Sequence, residues 1–388
     1  MRRRQYLAGL AVGAGLLAGC SSLSGSGLGD DSPANATLDD RTAGETGQRT
    51  RRPGAQFRDV SLPVPESDLD RGAQKDGIPA ITDPAFAADW SGVESRGESL
   101  ALDPGDTVVG VARDGEARAY PLRVLDWHEV VNDEFGGPLL VTFCPLCGSG
   151  MTAVRRVDGE VTTFGVSGLL FRSDLVMYDA ATESLWSQIM ATAIRGPRTG
   201  ESLELVPSSL TTWGEWRTDH PGTRVLLPPP DSETITDAPP RPYGRDPYVG
   251  YADSDRIGIG GSDNPDDRLD PKTTVVGVAD GENARAYPRP RVQAVDVVND
   301  TVGDLPVAVA ATAAGTLVAY VRELGGETVT VERDGEFLVA DGSRFRLTDG
   351  VAVDGPHEGA RLEQANSISP KFWFAWANFH PETAIWSP

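Results

Sequence analysis

Pro138-Leu-Leu-Val-Thr-Phe-Cys-Pro-Leu-Cys-Gly148 is the stretch around which the chain is organised. Its apolar run from Leu139 to Phe143 predicts a buried strand. That strand delivers Cys144 and Cys147 into a turn, because the proline and the glycine bend the chain there. Only one other cysteine occurs in the sequence, close to the N-terminus, so internal thiol chemistry belongs to this turn.

The residues that surround this stretch recur 167 positions later in the chain. Thr107-Val-Val-Gly-Val-Ala reappears as Thr274-Val-Val-Gly-Val-Ala, and Ala117-Arg-Ala-Tyr-Pro121 reappears as Ala284-Arg-Ala-Tyr-Pro288. Later pairs follow in the same order, with a shorter spacing: Trp213 and Trp373, Trp216 and Trp376, His220 and His380. Such an ordered series predicts two structurally similar halves. We therefore expect the paired tryptophans and histidines to be packing and capping groups.

Local patterns in each half predict hairpins and short helices. Asp114-Gly115 between two strand-like runs indicates a first hairpin. Thr212 and Glu215 have the spacing of a capping box, which predicts a closing helix in the first half. In the second half Ser369 is the expected cap and Pro370 the expected first helical residue. We therefore predict a β-rich α+β fold with two tandem, structurally similar halves and short helices.

Composition divides the chain into five segments. They are an N-terminal signal (1–20), a flexible tether (21–58), a first half with the cysteine pair (59–230), a connector (231–267) and a second half without the pair (268–388). The tether is rich in glycine, serine and aspartate and cannot bury enough apolar surface to fold. Tyrosines at positions 243, 248 and 251 predict that the connector packs on the rest of the protein.

The N-terminus has the features of an export signal. Arg3-Arg4-Gln-Tyr-Leu7 resembles a twin-arginine signal, and the apolar run that follows it is too short to span a membrane. Leu17-Ala-Gly-Cys20 resembles a lipobox, in which Cys20 is lipidated. We expect a lipid anchor on the extracytoplasmic face of the cell membrane. The alternative is an ordinary signal peptide with a chance cysteine.

The net charge of the chain limits the classes of molecule that we expect it to bind. The chain of 388 residues has a formal net charge of −22, so nucleic acid is excluded as an expected partner, since phosphate binding needs a basic face. Lysine occurs only at positions 75, 272 and 371. Strong acidity with so little lysine resembles the proteins of salt-loving archaea; an ordinary acidic secreted protein is the alternative.

Several motifs together resemble the DUF3179 family. They are Ile78-Pro-Ala-Ile-Thr-Asp-Pro84, Ala119-Tyr-Pro-Leu-Arg-Val-Leu-Asp-Trp-His-Glu-Val-Val-Asn-Asp133, Thr142-Phe-Cys-Pro-Leu-Cys-Gly148, Phe164-Gly-Val-Ser-Gly-Leu-Leu170, Ser173-Asp-Leu-Val-Met-Tyr-Asp179 and Ser184-Leu-Trp-Ser-Gln188. The resemblance covers residues 78–386, and it implies no particular reaction.

The second half acts as an internal control on the cysteine pair. At the repeat offset, alanines 311 and 314 replace Cys144 and Cys147, and valine 295 replaces His128. The repeated framework therefore does not need these three residues, which favours a functional role. We expect the pair in a partly accessible pocket, with His128 within reach of one sulfur. Residues 172–174 are expected in a surface loop.

Three functions remain open for this site. Thiol-based redox work is favoured, with Cys144 and Cys147 as the reacting pair, His128 as a base and a redox partner protein outside the cell. Metal binding through Cys144, Cys147 and His128 is the second, with copper or zinc as the ion. A structural disulfide in a non-catalytic surface module is the third.

Overall fold

Strands contain 41% of the residues and helices 8%. The structure is a computed structural model that describes residue 57 and residues 60–259, 266–366 and 368–388. The predicted signal, the lipidated Cys20 and nearly all of the tether lie outside the described residues. In the described part, six sheets of three to five strands give a six-bladed β-propeller arrangement.

Three blades come from the first repeat. Blade 1 contains β3 (Phe86–Ala87), β6 (Thr107–Arg113), β7 (Glu116–Pro121), β17 (Ser209–Thr212) and β18 (Arg224–Leu226). Blade 2 contains β2 (Ile81–Asp83), β8 (Val130–Glu134), β9 (Pro138–Cys144), β10 (Ser149–Val154) and β19 (Glu233–Thr234). Blade 3 contains β1 (Leu69–Arg71), β13 (Phe164–Phe171), β14 (Asp174–Asp179), β15 (Leu185–Ser187) and β16 (Thr192–Arg195).

The second repeat supplies three smaller blades. Blade 4 contains β20 (Thr274–Asp280), β21 (Asn283–Pro288), β30 (Lys371–Phe372) and β31 (Ala384–Ile385). Blade 5 contains β22 (Val298–Val302), β23 (Leu305–Ala311) and β24 (Leu317–Val321). Blade 6 contains β27 (Glu332–Asp334), β28 (Phe337–Ala340) and β29 (Ser343–Arg346).

The remaining elements are short hairpins and helices. The two-stranded hairpins are β4 (Glu94–Ser95) with β5 (Glu98–Ser99), β11 (Arg156–Val157) with β12 (Glu160–Val161), and β25 (Glu323–Leu324) with β26 (Glu327–Thr328). The helices are α1 (Leu122–His128), α2 (Trp213–Asp219), α3 (Arg289–Gln293) and α4 (Trp373–Ala377), with a 3-10 turn at Glu66–Asp68.

The fold-class prediction is wrong, because the protein is mostly β with a propeller arrangement and is not an α+β fold of two tandem halves. The helices span only five to seven residues each, so they cap strands and do not form a layer of their own. The repeats also exchange contacts: the Gly150 N–H of blade 2 donates to the Ser369 hydroxyl, 2.6 Å away, just before β30. One apolar cluster contains Cys147 and Met177 together with Phe374.

Two of the three predictions about local structure are confirmed. The first hairpin forms with Asp114 and Gly115 at its turn. Thr212 caps α2 as predicted, since the Glu215 N–H donates to the Thr212 hydroxyl at 3.3 Å. The cap predicted at Ser369 is wrong, because α4 begins at Trp373. The two residues before that helix form β30 of blade 4 instead, and Lys371 is buried there.

The connector packs on the domain as its tyrosines predicted. Tyr243 and Tyr251 are buried, and the Tyr251 hydroxyl donates to the Leu146 carbonyl oxygen at 3.0 Å. The connector therefore covers the turn that holds the cysteines. The other segment boundaries stay predictions.

Candidate functional site

The cysteine turn joins β9 to β10 in blade 2. Cys144 ends β9 and pairs across the sheet with Ser149, the first residue of β10. The Cys147 N–H lies within hydrogen-bond distance of the Cys144 carbonyl oxygen (3.2 Å) and of its Sγ (3.3 Å). Gly148 closes the turn at a φ of 63°, a left-handed conformation that glycine adopts without strain. Both cysteines are free thiols.

Asp174 from blade 3 completes a cluster with the two cysteines. One ligand atom from each residue, the two Sγ atoms and a carboxylate oxygen, lies within 4.8 Å of the other two. The Cys147 thiol also donates to the Ser173 carbonyl oxygen at 3.2 Å. That contact fixes the hairpin between β13 and β14 against the cysteine turn.

Residues on β15 and just after it hold the carboxylate of Asp174. The Ser187 hydroxyl donates to Asp174 Oδ2 at 2.5 Å, and the Ile189 N–H donates to the same oxygen at 3.2 Å. Gln188, between them, donates from Nε2 to the Ser149 carbonyl oxygen at 2.9 Å and so ties blade 3 to blade 2. The carboxylate therefore faces the sulfurs in a fixed orientation.

Burial dominates the electrostatics of this cluster. It raises the pKa of Asp174 to about 7, although the hydrogen bond from Ser187 opposes the shift. Burial, with the hydrogen bond and charge of Cys144, raises the pKa of the Cys147 thiol well above its ordinary value. These groups therefore hold protons that a bound cation would displace.

Lys371 brings a positive charge from the second repeat to the site. Its side chain is buried, and its Nζ donates to the Ser369 carbonyl oxygen at 2.8 Å. Burial lowers the pKa of Lys371 to about 8, while the charges of Cys147 and Asp174 raise it. The next residue, Phe372, donates its N–H to the Cys147 carbonyl oxygen at 2.9 Å, which fixes blade 4 against the turn.

The cluster is closed to solvent. Cys144 is 2% exposed, and Cys147 and Asp174 are 0% exposed. The prediction of a partly accessible pocket is therefore wrong, because the connector and the second repeat cover the turn. The prediction of a surface loop for residues 172–174 is wrong for Ser173 and Asp174, which are both buried.

His128 lies at the end of α1 and is not part of the cluster. Its Nδ1 lies 2.7 Å from the Pro79 carbonyl oxygen, so Nδ1 carries the proton and donates it. Its Nε2 lies 2.7 Å from the Tyr243 hydroxyl and accepts from it. Burial lowers the pKa of His128 to about 4. The neutral ring thus joins the backbone at Pro79 to Tyr243 of the connector.

Sequence reasoning missed Asp174 and Lys371 as members of the site. Residues 172–174 and the Trp186-Ser-Gln188 segment both lack counterparts in the second repeat, as the cysteines do. Because Asp174 and the cysteines are all specific to the first repeat, the sequence could have indicated that Asp174 belongs to the same site. Lys371 had no such signal beyond being one of three lysines in the chain.

Comparison with known proteins identifies a family and no function. The model of the family described as "Protein of unknown function (DUF3179)" matches residues 75–383. The chain belongs to this family. No curated protein and no solved structure matches the sequence or the fold. For this DUF3179 protein the cluster is therefore the feature from which function must be argued.

The α-helices of the described residues are five to seven residues long. None of them has the length and apolar character that crossing a membrane takes.

Proposed function

We propose that the protein binds one metal ion through Cys144, Cys147 and Asp174. The observation that carries this proposal is the convergence of three ligand atoms within 4.8 Å in a place that solvent does not reach. Two thiolates and a carboxylate are ligands that zinc accepts. Zinc fits this set better than copper(I), since a hard carboxylate oxygen suits a soft ion poorly. His128 has no part in this ligand set.

The charges of the site support a divalent ion. Two thiolates and one carboxylate carry three negative charges, and a divalent cation leaves one of them unbalanced. The ammonium group of Lys371, which interacts with Cys147 and Asp174, balances that remaining charge. Complete neutralisation matters because an unpaired charge in a buried place is costly.

Cobalt(II) titration tests the proposal, because thiolate ligands give cobalt an intense charge-transfer absorption. We expect the reduced protein to bind about one ion per chain, as a single three-ligand cluster requires. Cys147→Ala and Asp174→Asn should lose the absorption. Cys147→Ala should still fold, since alanine stands at the matching position 314 of the repeat. A wild-type protein that binds no zinc or cobalt would overturn the proposal.

A redox dithiol is the second candidate, and one contact favours it. The Cys147 N–H lies 3.3 Å from Cys144 Sγ, where it would donate to a thiolate formed on Cys144. In exchange with a disulfide-bearing partner protein, that thiolate would attack one partner sulfur and release the other. Cys147 would then lose its proton to Asp174, attack Cys144 Sγ and break the bond between Cys144 and the partner sulfur. The two released partner thiolates would take up the protons that Cys144 and Cys147 lost, so this chain ends with a Cys144–Cys147 disulfide and the partner with two thiols. The burial of both sulfurs argues against such an encounter, because the incoming disulfide needs access.

We also propose that the protein is anchored by lipid on Cys20 at the extracytoplasmic face of the membrane. The support is the order of the twin-arginine-like signal, the short apolar run and the lipobox. Cell fractionation tests it: wild-type protein should sediment with the membrane, and Cys20→Ser should be released or remain unprocessed. Wild-type protein that stays soluble inside the cell with Met1 intact would contradict the proposal.

A further inference from the structure

A small cavity lies next to the cysteine cluster, where blade 3 meets the second repeat. Lys371 and His380 form its polar walls, and the indole of Trp376 forms another wall. Ile189 also lines the cavity, and its N–H donates to Asp174 of the cluster at 3.2 Å. The centre of a water-sized sphere can move through about 10 Å³ of this space, which is room for one water molecule or one monatomic ion. None of the described residues that line it is acidic.

Lys371 presents a buried positive charge to this cavity. It is 2% exposed, and its Nζ lies 5.5 Å from the centroid of the Trp376 ring. An ammonium group has three N–H donors, and the Ser369 carbonyl oxygen accepts one of them at 2.8 Å. In the described part of the chain Lys371 has no other hydrogen-bond acceptor and no ion pair with a carboxylate. Because a buried charge without a counter-charge is costly, the cavity favours an anion.

His380 adds a hydrogen-bond donor to the same cavity. It is 7% exposed, and its ring stacks on Trp376 with 3.9 Å between the ring centroids. Within the described ranges neither ring nitrogen has a hydrogen-bond partner. Burial and the charge of Lys371 lower the pKa of His380 to about 3, so the neutral ring has one N–H to donate. Lys371 and His380 both lie against one indole, and their donors therefore converge on one space.

The chain itself supplies an anion at the corresponding histidine of the first repeat. His220 corresponds to His380, and its Nε2 lies 3.4 Å from Asp349 Oδ2. The Arg346 guanidinium group donates to the same carboxylate at 3.0 and 2.8 Å. The histidine of the first repeat therefore has a fixed carboxylate beside it.

The residue that matches Asp349 on the other side of the molecule is Met190, which has no charge. Asp349 and Met190 are 159 positions apart, as Leu362 and Leu203 are. Backbone contacts agree with this alignment. The Leu203 N–H donates to the residue after Met190 at 2.8 Å, and the Leu362 N–H donates to the residue after Asp349 at 2.9 Å. The chain thus places a carboxylate beside one of the two matching histidines and an ammonium group beside the other.

We propose that Lys371 and His380 bind one small monovalent anion, of the size of a halide ion, in this cavity. The anion accepts the remaining N–H groups of the ammonium and the N–H of the imidazole. It also balances the charge of Lys371, which a water molecule in the same place would leave uncompensated. The inference goes beyond the proposed metal site and uses none of its three ligands, so the two proposals can fail independently.

Chloride NMR measures this binding directly, because exchange with a protein-bound state broadens the resonance of free chloride. The full-length protein is treated with a chelator and kept at neutral pH, so that chloride bound to a metal ion makes no contribution. Wild-type protein should broaden the line, and added bromide should reverse the broadening by competing for the site. Lys371→Met should weaken chloride binding by about tenfold or more, the usual effect of losing a hydrogen bond to a charged group. Lys75→Met, which removes an exposed lysine, is the matched control and should bind chloride as the wild type does.

A crystal of the wild-type protein grown in bromide locates the site without any substitution. The anomalous signal of bromide should lie within hydrogen-bond reach of Lys371 Nζ and of one ring nitrogen of His380. His380→Phe keeps a ring against Trp376 and removes the N–H, so it should bind chloride more weakly than the wild type. Three results would overturn the proposal: no anomalous signal in the cavity, a bromide signal without bromide-sensitive broadening in solution, or equal broadening by the wild type and Lys371→Met.

Discussion

The turn after β9 in blade 2 and the turn after β23 in blade 5 occupy matching positions in the repeat, and their chemistry differs completely. The first carries Cys144 and Cys147, with Lys371 approaching from the other repeat. The second carries alanines, and the residue that approaches it is Thr211, which stands two positions before its helix as Lys371 does. Thr211 Oγ1 lies 2.8 Å from the hydroxyl of Thr316.

Two threonine hydroxyl groups and the carboxylate of Glu215 therefore lie beside the second turn, whereas two thiols, the carboxyl group of Asp174 and the ammonium group of Lys371 meet at the first. Thr316 also donates to the carboxylate of Glu215 at 2.6 Å, which satisfies the polar groups of the second turn locally. The difference shows that the matching turn of the second repeat forms without the two thiols.

The frame around the two turns is the same in both repeats. Arg118 and Tyr120 both bond to Asp133, and the matching residues of the second repeat bond to Asp300. The Trp216 indole N–H donates to the Thr223 hydroxyl at 2.9 Å. The matched pair, Trp376 and Thr383, has the same distance. The sequence repeat thus corresponds to repeated contacts within one closed fold.

The largest expected contrast between the repeats is in pH dependence. Burial raises the pKa of Glu129 from 4.5 to about 8, so the folded protein binds a proton there that the unfolded chain has lost. Its contribution to stability is fully present below about pH 4.5 and is lost as the pH rises through about 8. The free energy of unfolding of the metal-free wild type should therefore fall by up to about 5 kcal/mol between these pH values because of Glu129. Glu129→Gln has no carboxyl group there and should lack this part of the fall.

Chemical denaturation across this pH range measures the effect. Asp296→Asn, the exposed counterpart in the second repeat, is the control and should leave the pH dependence as it is in the wild type. Equal pH profiles for the wild type and Glu129→Gln would show that the carboxyl group of Glu129 is not desolvated in solution.

The next contrast tests the shared frame. A Cβ atom at Gly110 would lie 2.5 Å from the indole of Trp216, and one at Gly277 would overlap the indole of Trp376. Gly110→Ala and Gly277→Ala should each lower the free energy of unfolding by about 1–3 kcal/mol, the usual effect of overpacking. Gly105→Ala, where a Cβ meets open space, is the control. If urea unfolding shows a lower free energy of unfolding for only one of the two variants, the glycine–tryptophan contact is not equivalent in the two repeats.

The smallest expected effect concerns the residues that approach the two turns. Lys371→Thr copies Thr211 into the first repeat and removes the positive charge that would balance a metal ion bound at the proposed site. Cobalt affinity should fall by about tenfold, the lower range for an outer partner of a ligand set. Lys75→Thr, which removes an exposed lysine, should leave the affinity unchanged. Equal affinities for the wild type and Lys371→Thr would show that Lys371 has no part in balancing the charge.

Much of the local structure follows from the sequence because its causes lie within a few residues. The turn at Asp114-Gly115, the cap formed by Thr212 and the strand ending at Cys144 each depend on neighbouring side chains. The failed cap at Ser369 shows the limit of this logic. There, pairing with Gly150, which is 219 positions away, overrides a good local capping pattern.

The sequence by itself determined the repeat, the family and the cysteine turn, since these are patterns of residue identity along the chain. Only the tertiary structure decided the closure of both repeats into one propeller arrangement and the composition of the cluster. Asp174 reaches Cys147 across two blades, and Lys371 reaches it from the opposite repeat. His128, 16 positions from Cys144 in sequence, is instead held by Pro79 and Tyr243. The physical reason is that burial and long-range pairing choose a side chain's partners, and neither can be read from spacing along the chain.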